Sequence, residues 1–192
     1  KGKGKYTAAT FATNNLNSDD KRSAFWSKIA LNYRDKMSDS SLYGNVEFSE
    51  FDPPVIPELK QKNTYDVAFI VRVLHIWDEE GVLAQGLKAV YNSLKPNGTL
   101  AIVQHRGKPV DNIGSSAVEG YMGQTYVIEA VENAGFSLVA SSEINANTSD
   151  TKNHPKGVYT LPPTLAMGNK DKEKYIEIGE SDRMTLKFIK NK

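Results

Sequence analysis

The 192-residue sequence has no cysteine. That excludes a disulfide framework, thiolate metal ligands and a cysteine nucleophile, but it does not separate cytoplasm from periplasm. The cytoplasm is the expected compartment, with the periplasm open should a signal peptide have been removed. No apolar run approaches the roughly 20 residues of a membrane span, so no membrane partner is expected. Charge is nearly balanced at +1, which gives no electrostatic case for nucleic acid. The 3 histidines fall in no His-x-x-x-His or carboxylate spacing, and no metal is expected. Repeats and low-complexity tracts are lacking too. So is an initiating methionine: the chain begins Lys1-Gly2-Lys3-Gly4-Lys5, from which an absent upstream segment is expected.

What is present is organised around residues 65–106. Val67-Ala68-Phe69-Ile70-Val71 is a continuous apolar run, which suits a strand covered on both faces. The period then changes. Leu83, Leu87, Val90 and Leu94 fall on one stripe of a helix, with Asp78 as candidate cap and Glu79 and Glu80 against its N-terminal dipole. Lys95-Pro96-Asn97-Gly98 ends the helix with a turn, and Thr99–Val103 reads as a second buried strand. A strand–helix–strand unit of this length implies a right-handed crossover in a parallel sheet, hence an α/β class.

The flanks supply the other elements. Tyr6–Phe11 is a short strand; Ser18 is the candidate cap of a helix carrying Phe25, Ile29, Tyr33 and Met37, with Trp26 and Ala30 beside that stripe. Leu42–Asn45 reads as a turn, and Val46–Phe51 as a strand ended by Asp52-Pro53-Pro54. Gly107–Gly123 is a Gly/Ser-rich loop with the composition of a flap. Gln124–Ala134 is a helix closed by Gly135; Phe136–Ile144 is a strand; Asp171 opens a short helix; Met184–Phe188 alternates as the last strand. The length suits a single domain over residues 1–192.

The segments YDVAFIVRVLHIWD, LKPNGTLAIVQHR, AGF before a strand and the terminal RMTLKFIK together resemble a class I S-adenosylmethionine-dependent methyltransferase from its second strand onward. More narrowly, FDPP, RVLHIW, QHR, SEINAN, TLPPT and IGESDRMTLKF look like a bacterial family of predicted methyltransferases. The resemblance implies a doubly wound, Rossmann-like, mostly parallel sheet with an antiparallel C-terminal strand, beside the strand of Leu100–Val103. It also implies S-adenosylmethionine as cofactor and a small molecule as acceptor. One departure stands out. The first strand and its glycine-rich loop, on which the cofactor's amino-acid tail rests in that fold, are absent, and Gly2 and Gly4 have no strand before them. Their loss leaves Val67–Val71 with an unpaired edge and predicts that this chain by itself does not bind the cofactor appreciably.

In sheets of this kind ligands sit off the carboxyl ends of the strands. By the resemblance, Asn14 (with Thr13 and Asn15) would face the ribose, Asp52 the adenine amino group, and Arg72 and Val73 the methionine end. Methyl transfer needs a positioned acceptor and, where required, a base. His75 and His105 are the candidate bases because imidazole titrates near neutrality, and Arg106 is the candidate clamp for an anionic acceptor. His154 reads as a loop histidine. Tyr159 and Pro162-Pro163 either wall the acceptor pocket or brace the long connection to the last strand, and bracing is the expectation here. Two other classes stay open: a nicotinamide-dependent oxidoreductase, which an all-parallel sheet would favour, and a cofactor-free binding or scaffold domain of the same fold.

Overall fold

The computed structural model describes residues 4–53, 55–109 and 119–191. The chain divides into two compact units, Lys1–Lys60 and Gln61–Lys192, taken separately below.

The first unit is a β-α-β crossover. Strand β1 (Tyr6–Thr10) pairs in parallel with β2 (Val46–Glu50), and helix α1 (Lys21–Met37) and the single turn α2 (Ser40–Tyr43) connect them. Asp20, not Ser18, caps α1: its carboxylate accepts from the backbone N–H groups of Arg22 and Ser23. The buried side of α1 also differs from the expected stripe. Small residues, Ser27 and Ala30, are the buried ones, while Phe25 and Ile29 lie exposed. The physical reason is a polar link: the Ser27 hydroxyl donates to the Ala12 carbonyl and accepts from Asn15 N–H, which fixes the helix rotation. Trp26 then stacks on Phe11 with ring centroids 4.3 Å apart.

The second unit holds a four-stranded sheet in the order β3-β4-β6-β5, with β3 Tyr65–Val71, β4 Leu94–His105, β5 Phe136–Ser142 and β6 Arg183–Lys190. β3 and β4 are parallel neighbours, and β6 runs antiparallel between β4 and β5. The expected reversed last strand is therefore there, in the expected place. Helices α3 (Leu74–Glu79), α4 (Leu83–Ser93) and α5 (Gln124–Asn133) follow the strands, and α6 (Lys172–Ile178) precedes β6. Leu83, Leu87, Val90 and Leu94 are all buried, as their spacing predicts. Leu100 and Ile102 of β4, Leu186 and Phe188 of β6, and Val127 and Val131 of α5 are buried too.

Asp78 is not the cap of α4. It lies inside α3, whose presence splits the expected single helix in two, and it accepts a hydrogen bond from Tyr126. Leu94 already belongs to β4, and the Lys95–Gly98 turn is a bulge within the ladder: Tyr65 pairs with Leu94, but Val67 pairs with Thr99. Asn97 takes the left-handed backbone that this bulge requires, with φ 62°.

The continuous apolar run of β3 predicts cover on both faces, and the structure gives it cover on one. Ile70 is buried, whereas Val67, Phe69 and Val71 are 47%, 71% and 52% exposed. Among the described residues β3 is an edge strand, because β4 is its only partner. That outcome matches the unpaired edge expected for this strand. No helix among the described residues is long and apolar enough to cross a membrane.

Candidate functional site

β3 passes into α3 without a connecting loop. Arg72 makes the bend, with its backbone in the left-handed region at φ 54°, while its N–H still donates to Val103 across the parallel ladder at 2.8 Å. A non-glycine residue held there costs on the order of 1–2 kcal/mol. The bend delivers Val73 as the helix-flanking residue and carries His75 inward, where it is 2% exposed. The Arg72 side chain stays exposed.

β4 ends with Gln104 and His105, both buried. The sequence expectation brings His75 and His105 to adjacent strand exits, and the structure places them edge to face, centroids 5.5 Å apart. Gln104 joins them: its Nε2 lies 3.1 Å from His75 Nδ1 and donates to the Gly120 carbonyl at 3.3 Å. His105 Nδ1 is 2.6 Å from the Ser181 hydroxyl. Tyr159 Oη lies 3.3 Å from His75 Nε2.

Two glycines let Tyr159 reach that position. The turn Gly157–Thr160 is fixed by Val158 N–H donating to the Glu119 carbonyl. A Cβ on Gly157, φ 52°, would sit 2.1 Å from that same carbonyl oxygen. A Cβ on Gly120 would come within 2.4 Å of Val158. Only bare backbone permits both approaches.

Burial is the main cause of the electrostatics here. It pushes His105 down to about 3, with the neighbouring His75 and Arg72 adding to the shift. It lowers His75 as well. Both imidazoles are therefore neutral at physiological pH. A base whose conjugate acid is that strong is a weak proton acceptor, so the burial of His105 weakens it for the role expected from the sequence. Tyr159 is raised by burial and by the charge of Glu79, so it holds its proton.

Arg106 is close by, yet it is not available as a clamp. All five of its N–H donors are engaged: Nε and Nη2 with Asp182, Nη1 and Nη2 with Glu143, and Nη1 also with Gln124. Asp182 in turn accepts from Lys152 Nζ and Asn147 N–H. Burial pushes Asp182 up, but the bonds from Arg106 and Lys152 outweigh it and hold the carboxyl at about 2. Below this pair Asp150, also buried, accepts from the Tyr121 hydroxyl, His154 Nε2 and the N–H groups of Lys152 and Asp182. His154 is thus a tie within the long connection, as the loop reading implies.

Gln104, Gly120, Asp150, Ser181 and Asp182 were given no role from sequence. Gln104 is polar inside an otherwise apolar strand, Ser181 and Asp182 stand just before β6, and Gly120 and Asp150 lie in loops, and none of this reveals a partner far along the chain.

In the first unit Asn14 is exposed, while Asp52 is buried and forms a two-pronged pair with Arg22 at 2.9 and 3.0 Å. The Gly107–Gly123 flap falls partly on residues 110–118, outside the described residues. Among the described residues no group of three or more His, Asp or Glu is placed to hold a metal ion.

The sheet order with a reversed strand beside β4 agrees with solved structures. A methyltransferase from Methanosarcina mazei aligns over 97% of this chain and 82% of its own, with TM-score 0.54 and 12% identity. The chain has the class I methyltransferase fold. The 1,6-didemethyltoxoflavin-N1-methyltransferase of Burkholderia thailandensis, solved with its substrate and S-adenosylhomocysteine, shares that fold over 98% of this chain and 72% of its own (TM-score 0.53, 11% identity). So does the cyclase SpnF, over 97% and 67% respectively (TM-score 0.56, 16% identity). No family model and no curated protein matches the sequence. The likeness to class I methyltransferases is therefore one of fold, and the narrower bacterial family has no support beyond it.

Proposed function

We propose that this chain serves S-adenosylmethionine-dependent methyl transfer to a small-molecule acceptor. The observation that supports it is the sheet order β3-β4-β6-β5 with β6 reversed, shared with solved methyltransferases. The same reversal removes the ground for the nicotinamide-dependent alternative, which called for parallel strands throughout.

The residues present fit the acceptor side better than the cofactor side. The amino-acid tail of the cofactor needs backbone amides at close range, which glycine permits. The passages from β1 to α1 and from β3 to α3 contain no glycine. Asp52 already carries a cation of its own in Arg22. What the chain does supply is a dry, neutral pair of imidazoles at the strand exits and a protonated Tyr159 beside them. These groups would hold and orient an acceptor molecule.

The second reading is a cofactor-free binding domain of the same fold, and the engaged Asp52 is the observation that favours it. A cyclase among the structural neighbours also shows that a fold like this one hosts other activities. A methyl-labelled donor at several millimolar, offered with a panel of phenols, carboxylates and amines, separates the two. Label in a small-molecule product supports methyl transfer. No label in any product, with one of the panel compounds still bound by calorimetry, would leave the binding domain.

A further inference from the structure

The Gly120 carbonyl has no hydrogen to give, so the Gln104 group facing it at 3.3 Å is the amide NH₂. The same NH₂ faces His75 Nδ1 at 3.1 Å, and an amide nitrogen only donates. Turning the amide over would set its oxygen against the Gly120 carbonyl and bury two unused N–H groups in place of one unused acceptor, Gln104 Oε1. His75 Nδ1 therefore accepts. In a neutral imidazole the proton then sits on Nε2, which lies 3.3 Å from Tyr159 Oη and donates to it.

That settles the direction of the hydrogen bond at Tyr159. Its oxygen lone pair is taken by His75, so its own O–H is turned away from His75, on a side chain that is 40% exposed. Arg72, the exposed cation at the end of β3, is close enough for its charge to act on both His75 and His105. Among the described residues, the carboxylate whose charge reaches Tyr159 is Glu79, and burial together with Asp78 and Glu80 raises it toward its neutral form.

We propose that the Tyr159 hydroxyl is a directed hydrogen-bond donor for a ligand presenting an anionic or carbonyl oxygen at the β3–β4 exits. Gln104 and His75 are its positioning residues. This rests on the acceptor-side reading above, but not on methyl transfer itself. It also reassigns His75: with Nδ1 accepting and Nε2 protonated, the ring organises a donor rather than removing a proton.

Long-range ¹H–¹⁵N correlation on histidine-labelled protein reads the first half of the proposal. His75, identified by the loss of its signals in His75→Gln, should show a pyrrole-like Nε2 and a pyridine-like Nδ1. A proton on Nδ1 would overturn it. Tyr159→Phe should leave that pattern in place, which also reports that the variant is folded. The second half is read with 4-nitrophenolate as probe and 4-nitroaniline as the neutral control that lacks the phenolate oxygen, with no methyl donor present. The wild type should bind the phenolate with a blue shift of its absorption band. Tyr159→Phe should lose about ten- to hundredfold in affinity, the usual worth of a hydrogen bond to a charged group, and lose the shift. Equal binding by both proteins, or an equal loss for nitroaniline, would sink the proposal. Because no cofactor takes part, failure here is distinct from failure of the labelled-methyl experiment.

Discussion

The rings of His75 and His105 meet edge to face with centroids 5.5 Å apart, and burial keeps both neutral. Their cost appears on acidification. The ordinary imidazole value is about 6.5, and His105 is lowered to about 3 in the folded chain. Below about pH 6.5 the unfolded chain takes up a proton that the folded chain refuses, so stability falls as pH falls toward 3. The slope from His105 alone reaches about 1.4 kcal/mol per pH unit, and His75 acts in the same direction. Urea midpoints should drop steadily between about pH 7.5 and about pH 5, and His105→Asn should flatten that dependence. A constant midpoint in the wild type would contradict it.

Leu87 and Phe69 make a contrasting pair. Leu87 is fully buried between α4 and the sheet, and Phe69 projects from the open face of β3. Leu87→Ala should cost roughly 2–5 kcal/mol, the range for a large buried aliphatic. Phe69→Ser should stay within about 0.5 kcal/mol, the size of a surface change. Equal losses in urea unfolding would mean that the open face is covered in solution.

The sheet was legible where one face carries the argument. The stripe Leu83–Leu94 needs only the 3.6 period, and the run Thr99–Val103 needs only its lack of polar residues. β3 was half legible: its run of apolar residues cannot tell a strand buried twice from one whose second face is bare. α1 misled because its large residues form a stripe while Ser27, a small polar residue, sets which side is buried. The candidate site divides in the same way. His75 and His105 could be placed at adjacent strand exits from topology. The five acceptors that engage Arg106 could not, since Asp182 and Glu143 lie far from it in sequence and no local pattern links them.

Asp182 links Arg106 and Lys152 to the strand exits, and its carboxyl is held at about 2. Asp182→Asn should lower stability by on the order of 2–3 kcal/mol at neutral pH, since Lys152 loses its counter-charge and Arg106 keeps only Glu143. The wild-type contribution is fully present above about pH 4 and disappears as pH falls through about 2, the sign for a depressed carboxyl. A neutral-pH loss under about 0.5 kcal/mol in chemical denaturation would show the cluster to be only a surface feature.

Calorimetric titration of the chain with S-adenosylmethionine and S-adenosylhomocysteine bears most directly on the division between acceptor side and cofactor side. The fold of methyltransferases is here, but no glycine lies in the β1–α1 or β3–α3 passages, and Asp52 is already paired. Missing several hydrogen bonds of about 1–3 kcal/mol each moves a micromolar site to millimolar or weaker. Dissociation constants in the millimolar range or beyond are the predicted result. Micromolar binding, with the amino-acid tail held by residues of this chain, would contradict it.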